Sequence, residues 1–276
     1  MSSMDPAGEL YLDLMKRCLT RLAFPEKIVP LDWGRTGRVH PVARLMRRVF
    51  LRAGFDLVRT APVDSRAREE GRDWPADAET MVGLRRLDNL QACVTDVVAR
   101  AVPGDLIETG VWRGGASIFM RAVLKVLGDT SRVVWLADSF KGLPRPDAAR
   151  YPADANDPSW TFHELAIPMA EVQANFRRYG LLDDQVKFLP GWFRDTLPAA
   201  PIERLAVLRL DGDLYESTLD ALTHLYPKLS AGGYAIIDDY ALPACRAAVH
   251  DYRTSHGIGE PMVRVDDFAM FWQRLS

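Results

Sequence analysis

From Pro103-Gly104 onward, short apolar runs alternate with helix-length stretches, and this alternation constrains the fold more than any other feature of the chain. The runs are Asp105 to Glu108, Val133 to Ala137, Val186 to Leu189, Leu205 to Leu210 and Tyr234 to Ile237. Between and after them, Ser117 to Leu127, Met169 to Tyr179, Ser217 to Leu229 and Ala244 to His256 carry apolar residues at helical spacing. Runs of four to six residues separated by helices of ten or more are βα units, and such units build a doubly wound, mostly parallel α/β sheet. Met262 to Asp266 and Phe268 to Gln273 read as two closing strands, giving an antiparallel edge at the C-terminus.

The segment before this region has a different rhythm. Leu10, Leu14, Cys18, Leu19 and Leu22 recur at helical spacing, as do Leu84, Leu87, Leu90, Cys93, Val94 and Val97. Residues 1–99 therefore read as a helical extension, expected to form a lid and oligomer contacts, and residues 100–276 as the sheet-bearing core. Within 1–99, Arg35 to Arg59 holds seven arginines (35, 38, 44, 47, 48, 52 and 59) against one acid, Asp56. Val42, Leu45, Met46, Val49 and Phe50 give that segment an apolar stripe, so it is expected as an amphipathic helix with a basic face. Such a face suits a subunit contact, an acidic acceptor, or an anionic carrier or membrane surface. Pro144 to Phe162, rich in Pro, Asp and Ala, reads as a lid over a cleft.

Composition narrows the class of partner. A formal net charge of −2 on 276 residues gives no global pull toward nucleic acid, so a small-molecule partner is expected. No apolar stretch approaches a membrane span, and the first residues lack a signal pattern, so the expected location is the cytoplasm. Cys18, Cys93 and Cys245 share no metal or disulfide spacing and are expected as apolar fillers.

In parallel sheets ligands bind beyond the carboxyl ends of the strands, and here those ends are acidic. Tyr234-Ala235-Ile236-Ile237 runs into Asp238-Asp239, and Leu205 to Leu210 runs into Asp211-Gly212-Asp213, 27 residues earlier. Burying like charges together is costly unless a cation compensates them, so these acids read as ligands of a divalent metal. The first run ends Glu108-Thr109-Gly110-Val111-Trp112-Arg113-Gly114-Gly115, which is not the glycine spacing of nicotinamide enzymes. Asp138 closes the second run, where a Rossmann-like sheet holds ribose hydroxyls, and Trp192 offers a face for adenine. Glu108, Gly110, Asp138 and Trp192 together describe an adenosine-bearing cofactor without phosphates, which S-adenosylmethionine fits.

These motifs, with Ala137 to Gly142, Tyr179 to Val186, Leu189 to Phe193 and Glu9 to Leu14, resemble the macrocin O-methyltransferase (TylF/MycF) family of natural-product tailoring enzymes. The resemblance runs in order from about Thr80 to His256. It implies a Rossmann-like methyltransferase sheet, a magnesium- and S-adenosylmethionine-dependent enzyme, and methyl transfer to a sugar hydroxyl of a glycosylated natural product, typically a macrolide. It also implies association into a homodimer or higher homo-oligomer. Carried over, Asp211, Asp238 and Asp239 would hold Mg²⁺, while Glu108, Gly110, Asp138, Ser139, Trp192, Thr80 and Met81 would line the cofactor. The proton acceptor would be Asp211, with Asp213 next and His163 of the lid third. A catechol or phenol acceptor, or a polysaccharide or glycolipid sugar, stands as the alternative.

Overall fold

A computed structural model describes residues 5–24, 28–31, 41–60, 62 and 64–275 of the chain. The leading segment gives α1 (Pro6–Leu19), β1 (Ile28–Pro30), α2 (Pro41–Arg52), β2 (Val58–Thr60), α3 (Ser65–Glu69) and α4 (Leu84–Ala99). The alternating region gives β3 (Asp105–Thr109), α5 (Gly115–Val126), β4 (Val134–Asp138), α6 (Met169–Arg178), β5 (Val186–Pro190) and α7 (Phe193–Thr196). It continues through β6 (Leu205–Leu210), α8 (Tyr215–Leu225), β7 (Leu229–Ile237), α9 (Pro243–Ser255), β8 (Val263–Arg264) and β9 (Met270–Gln273).

The main sheet has the order β5-β4-β3-β6-β7-β9-β8, with β5 through β7 parallel and β9 antiparallel to both of its neighbours. The antiparallel β9–β8 hairpin thus closes the C-terminal edge of the sheet. The Trp272 ring of β9 is fully buried against Tyr226 and beneath the Arg253 guanidinium.

Side-chain alternation along the strands divides the core into two layers. Leu106, Val134, Val207 and Ile236 face α4 and α5, and Leu12, Met15 and Leu19 of α1 complete that layer. Ile107, Leu208, Leu210, Ala235 and Ile237 face α8 and α9. Helices α1 and α4, ahead of residue 100, therefore share a core with the sheet. Strand order reverses between β4-β3 and β6-β7, so a crevice opens at the carboxyl ends of β3 and β6.

The arginine-rich segment forms a helix, α2, flanked by the short pair β1–β2, which its sequence does not announce; Arg35 and Arg38 lie outside the described residues. Arg47 pairs with Asp56 at 2.6 Å, and Leu45, Met46, Val49 and Phe50 are exposed. Between β4 and α6 the chain forms only short 3₁₀ turns, at Pro152–Asp154, Ser159–Thr161 and His163–Leu165. Among the described residues, no helix is long and apolar enough to cross a membrane.

Trp272→Ala should cost about 3–5 kcal/mol, the usual range for truncating a fully buried aromatic. Urea unfolding with an unchanged m-value and a lower midpoint would show it; a loss under 1 kcal/mol would mean that β9 is not held by this ring.

Candidate active site

Register brings the acids together. Leu210 pairs with Thr109 on one side and Ile237 on the other, and the ladder continues one residue further. The Asp211 N–H donates to Thr109 O at 2.8 Å and the Asp238 N–H to Leu210 O at 2.9 Å. Asp211 and Asp238 therefore leave adjacent strands side by side. One carboxylate oxygen from each of Asp211, Asp238 and Asp239 lies within 4.8 Å of the others. Asp213 joins them through its backbone N–H, which donates to Asp239 Oδ2 at 3.0 Å.

Two arginines that sequence reasoning passes over hold this cluster. Arg209, buried in β6, donates through Nη1 to Glu108 Oε1 (2.5 Å) and Asp211 Oδ2 (2.7 Å) and pairs through Nη2 with Asp238 Oδ1 (2.6 Å). Arg86 of α4 reaches Asp238 Oδ2 at 2.5 Å and Asp266 Oδ2 at 3.0 Å. The signal for Arg209 was present: a cation two residues before Asp211 in an otherwise apolar strand must point to the same face as that acid. Arg86 carried no such signal, since its helix is rich in charge.

These contacts split the acids into two groups. Burial alone would raise Asp238, but the Arg209 and Arg86 guanidiniums override it and hold its carboxyl below the usual range. Burial and the Asp238 charge raise Asp211. Burial, then Asp211, pushes Asp213 up to about 7, and burial with Asp213 and Asp211 raises Asp239 well above a normal carboxylate. Glu108, buried and only partly offset by Arg209, is pushed up to about 7. Glu108, Asp211, Asp213, Asp238 and Asp239 thus outnumber the guanidiniums that reach them. Hard oxygen donors with uncompensated negative charge, converging from Asp211, Asp238 and Asp239, fit a small divalent cation.

The cofactor candidates line two adjoining spaces. Met81, Gly110, Asp138, Ser139 and Trp192 border a cleft of about 100 Å³ running past the ends of β3, β4 and β5. Gly110 has φ +85°, and a Cβ there would fall 1.6 Å from the Asp211 carbonyl oxygen, so only glycine lets this turn cross the end of β6. Asp138 has a role the sequence did not suggest: Oδ2 accepts the Val111 N–H (2.7 Å) and Oδ1 the Phe140 N–H (2.6 Å), which fixes the turn around the cleft. Glu108 sits deeper, its carboxylate between Arg209 and the Ser117 hydroxyl.

Thr80, Met81, Glu108, Asp211, Asp213, Asp238 and Asp239 border a second cavity of about 410 Å³, whose outer walls are Trp74 and Phe162 on one side and Leu242 and Phe268 on the other. Met81, Trp112, Leu165, Asp211 and Asp213 line both spaces. His163 is exposed and borders neither, although its neighbours Phe162 and Leu165 do.

A doubly wound sheet with a cleft at its switch point, meeting an acid-floored cavity, is the architecture of a Rossmann-like methyltransferase. The chain belongs to the macrocin O-methyltransferase family: the model for Macrocin-O-methyltransferase (TylF) matches residues 8–274. It is 54% identical over 276 residues, 99% of this chain and 95% of the relative, to an 8-demethyl-8-(2,3-dimethoxy-alpha-L-rhamnosyl)-tetracenomycin-C 4'-O-methyltransferase of Streptomyces olivaceus. It is 48% identical, over 96% of each chain, to the mycinamicin III 3''-O-methyltransferase of Micromonospora griseorubida. Among solved structures, the O-methyltransferase NovP superposes with a TM-score of 0.83 at 45% identity, covering 98% of this chain and all of that one. The protein is accordingly an O-methyltransferase that uses S-adenosylmethionine as methyl donor.

The raised acids have a consequence for metal-free protein. Between about pH 5 and 7 the folded chain keeps protons on Glu108 and Asp213 that the unfolded chain has released, so stability must fall as pH rises through that window. Thermal unfolding of EDTA-treated protein should show Tm declining from about pH 5 to about pH 7. A Tm that climbs across the window would mean that these acids are ionised in the fold.

Proposed function

We propose that the chain methylates a sugar hydroxyl of a glycosylated natural product, with Mg²⁺ bound by Asp211, Asp238 and Asp239. The observation that carries this reading is the wall shared by the two cavities, where Asp211 and Asp213 stand between the cofactor cleft and the larger space. The two curated relatives methylate the 4' position of a rhamnosyl tetracenomycin and the 3'' position of mycinamicin III, which supports a glycoside acceptor. The exposed apolar residues of α2, Leu45, Met46, Val49 and Phe50, support a homo-oligomer, which sedimentation velocity checks: a purely monomeric boundary at micromolar protein would remove it.

S-adenosylmethionine supplies an electrophilic methyl group on sulfur. Mg²⁺ supplies Lewis acidity that lowers the pKa of a bound alcohol. The protein's own residues do the rest. Gly110, Asp138, Ser139 and Trp192 seat the donor along the cleft, and Thr80 and Met81 border its inner end. Asp211 accepts the hydroxyl proton at Oδ1, because Oδ2 is engaged by Arg209; Asp213 is the neighbouring acceptor. Met81, Trp112 and Leu165 close the junction against water, so that alignment of the acceptor oxygen with the methyl group carries much of the rate. His163, outside both cavities, keeps only a role in lid order.

Asp239→Ala should abolish transfer while leaving S-adenosylmethionine affinity within about twofold by calorimetry. EDTA should do the same and Mg²⁺ reverse it; normal turnover after stripping would remove the metal from the reading. Asp211→Asn should keep bound Mg²⁺ and lose about 10²–10⁴-fold in kcat, the usual worth of a proton acceptor. Screening glycosides, catechols and simple phenols for a one-methyl mass gain decides the acceptor class. Transfer to catechols alone would replace the sugar reading.

A further inference from the structure

We propose that Asp154 is a positioning residue that latches the lid to the loop carrying Asp211 and Asp213, so that lowering the lid sets the active-site acids in place. α8 starts at Tyr215, directly after that loop, and its N-cap is Leu214, whose side chain makes no capping bond. The first N–H groups of a helix have no partner within the helix and, when buried, need one from elsewhere. Here it comes from the lid. Asp154 Oδ1 accepts the Tyr215 N–H at 2.7 Å and Oδ2 accepts the Glu216 N–H at 3.0 Å. Asp154 is fully buried, and the Tyr151 and Tyr215 rings meet beside it with centroids 5.9 Å apart.

Both sides of this contact reach the site. The lid gives Pro144 and Leu165 to the cofactor cleft and Asp157, Ser159 and Phe162 to the larger cavity. The loop ahead of α8 is tightly wound: Asp213 has φ +58°, its N–H is bound to Asp239 Oδ2, and the Leu214 N–H donates to Gly212 O at 2.6 Å. A non-glycine residue in that conformation persists only where its surroundings hold it. One of those supports is the capped start of α8. Raising the lid removes the cap and slackens the loop, which allows exchange of acceptor and product; lowering it restores both. Asp154 touches no reacting atom and acts through α8.

Hydrogen exchange on the unmodified enzyme reads the latch without any acceptor, so its failure is distinct from failure of the glycoside reading. The Tyr215 and Glu216 amides should open with the amides of residues 151–157 and slow together with them when S-adenosylhomocysteine is added. Loss of the cap in Asp154→Ala should raise the open population about 5–30-fold. Trypsin cleavage after Arg150 should accelerate by that same factor, and kcat/KM for the acceptor should fall in proportion to the closed fraction lost. Asp154→Asn, which keeps one accepting oxygen, should recover part of both. The proposal is overturned if Tyr215 and Glu216 exchange independently of the lid, or if Asp154→Ala lowers Tm with cleavage and kcat/KM unchanged. Should Asp154→Ala fail to fold, the exchange experiment decides alone.

Discussion

The contact on which the site depends is the buried guanidinium of Arg209. Three acids bond to it, and without a cation inside the sheet Glu108, Asp211 and Asp238 could not emerge from adjacent strands at bonding distance. Removing one partner from a buried charge network leaves an uncompensated ion, which costs several kcal/mol. Arg209 therefore does more than neutralise. Glu108 stands at the end of β3, where the cofactor turn begins, and Asp238 at the end of β7, among the metal candidates; one side chain fixes both. Arg86 adds a second tie, from α4 through Asp238 to Asp266, so that the leading helices and the C-terminal strands are oriented by the same cluster.

The sheet was legible in the sequence because its strands are buried on both faces, and five apolar runs between helical stretches admit few other architectures. The closing antiparallel hairpin was legible as two short apolar segments after the last helix, but not its order β7-β9-β8, because local pattern does not say which of the two strands pairs with β7. The acids were legible because Asp211 and Asp238-Asp239 follow apolar runs directly. Their counterions were less so. Arg209 could have been read from strand alternation, but Arg86 and Asp154 meet their partners across 152 and 61 residues of chain, and no local periodicity encodes such distances. His163 was read as a candidate acceptor because it is a titratable residue in the lid; it is exposed and lines neither cavity, whereas Phe162 lines the larger one and Leu165 lines both. Asp138 lines the cleft, but its double engagement with the Val111 and Phe140 amides could not be foreseen, because both depend on how the glycine turn folds back.

What separates a structural acid from a chemical one here is whether a cation in the chain already answers it. Asp238 has both oxygens on guanidiniums and is held ionised beside Asp211 and Asp239, while Glu108, enclosed by Arg209 and Ser117, holds the framework. Asp239 and Asp213 receive a backbone N–H between them and otherwise face one another's charge, which raises both. Asp211 lies between these conditions, with one oxygen on Arg209 and the other free of that contact, and it borders both cavities. A residue so divided can be fixed in direction by its bound oxygen while the second remains available to a hydroxyl proton. The arginines thus supply enough positive charge to let the acids converge, and too little to satisfy them all; the shortfall falls on Asp211 and Asp213, which border both cavities, and on Asp239, which borders the larger.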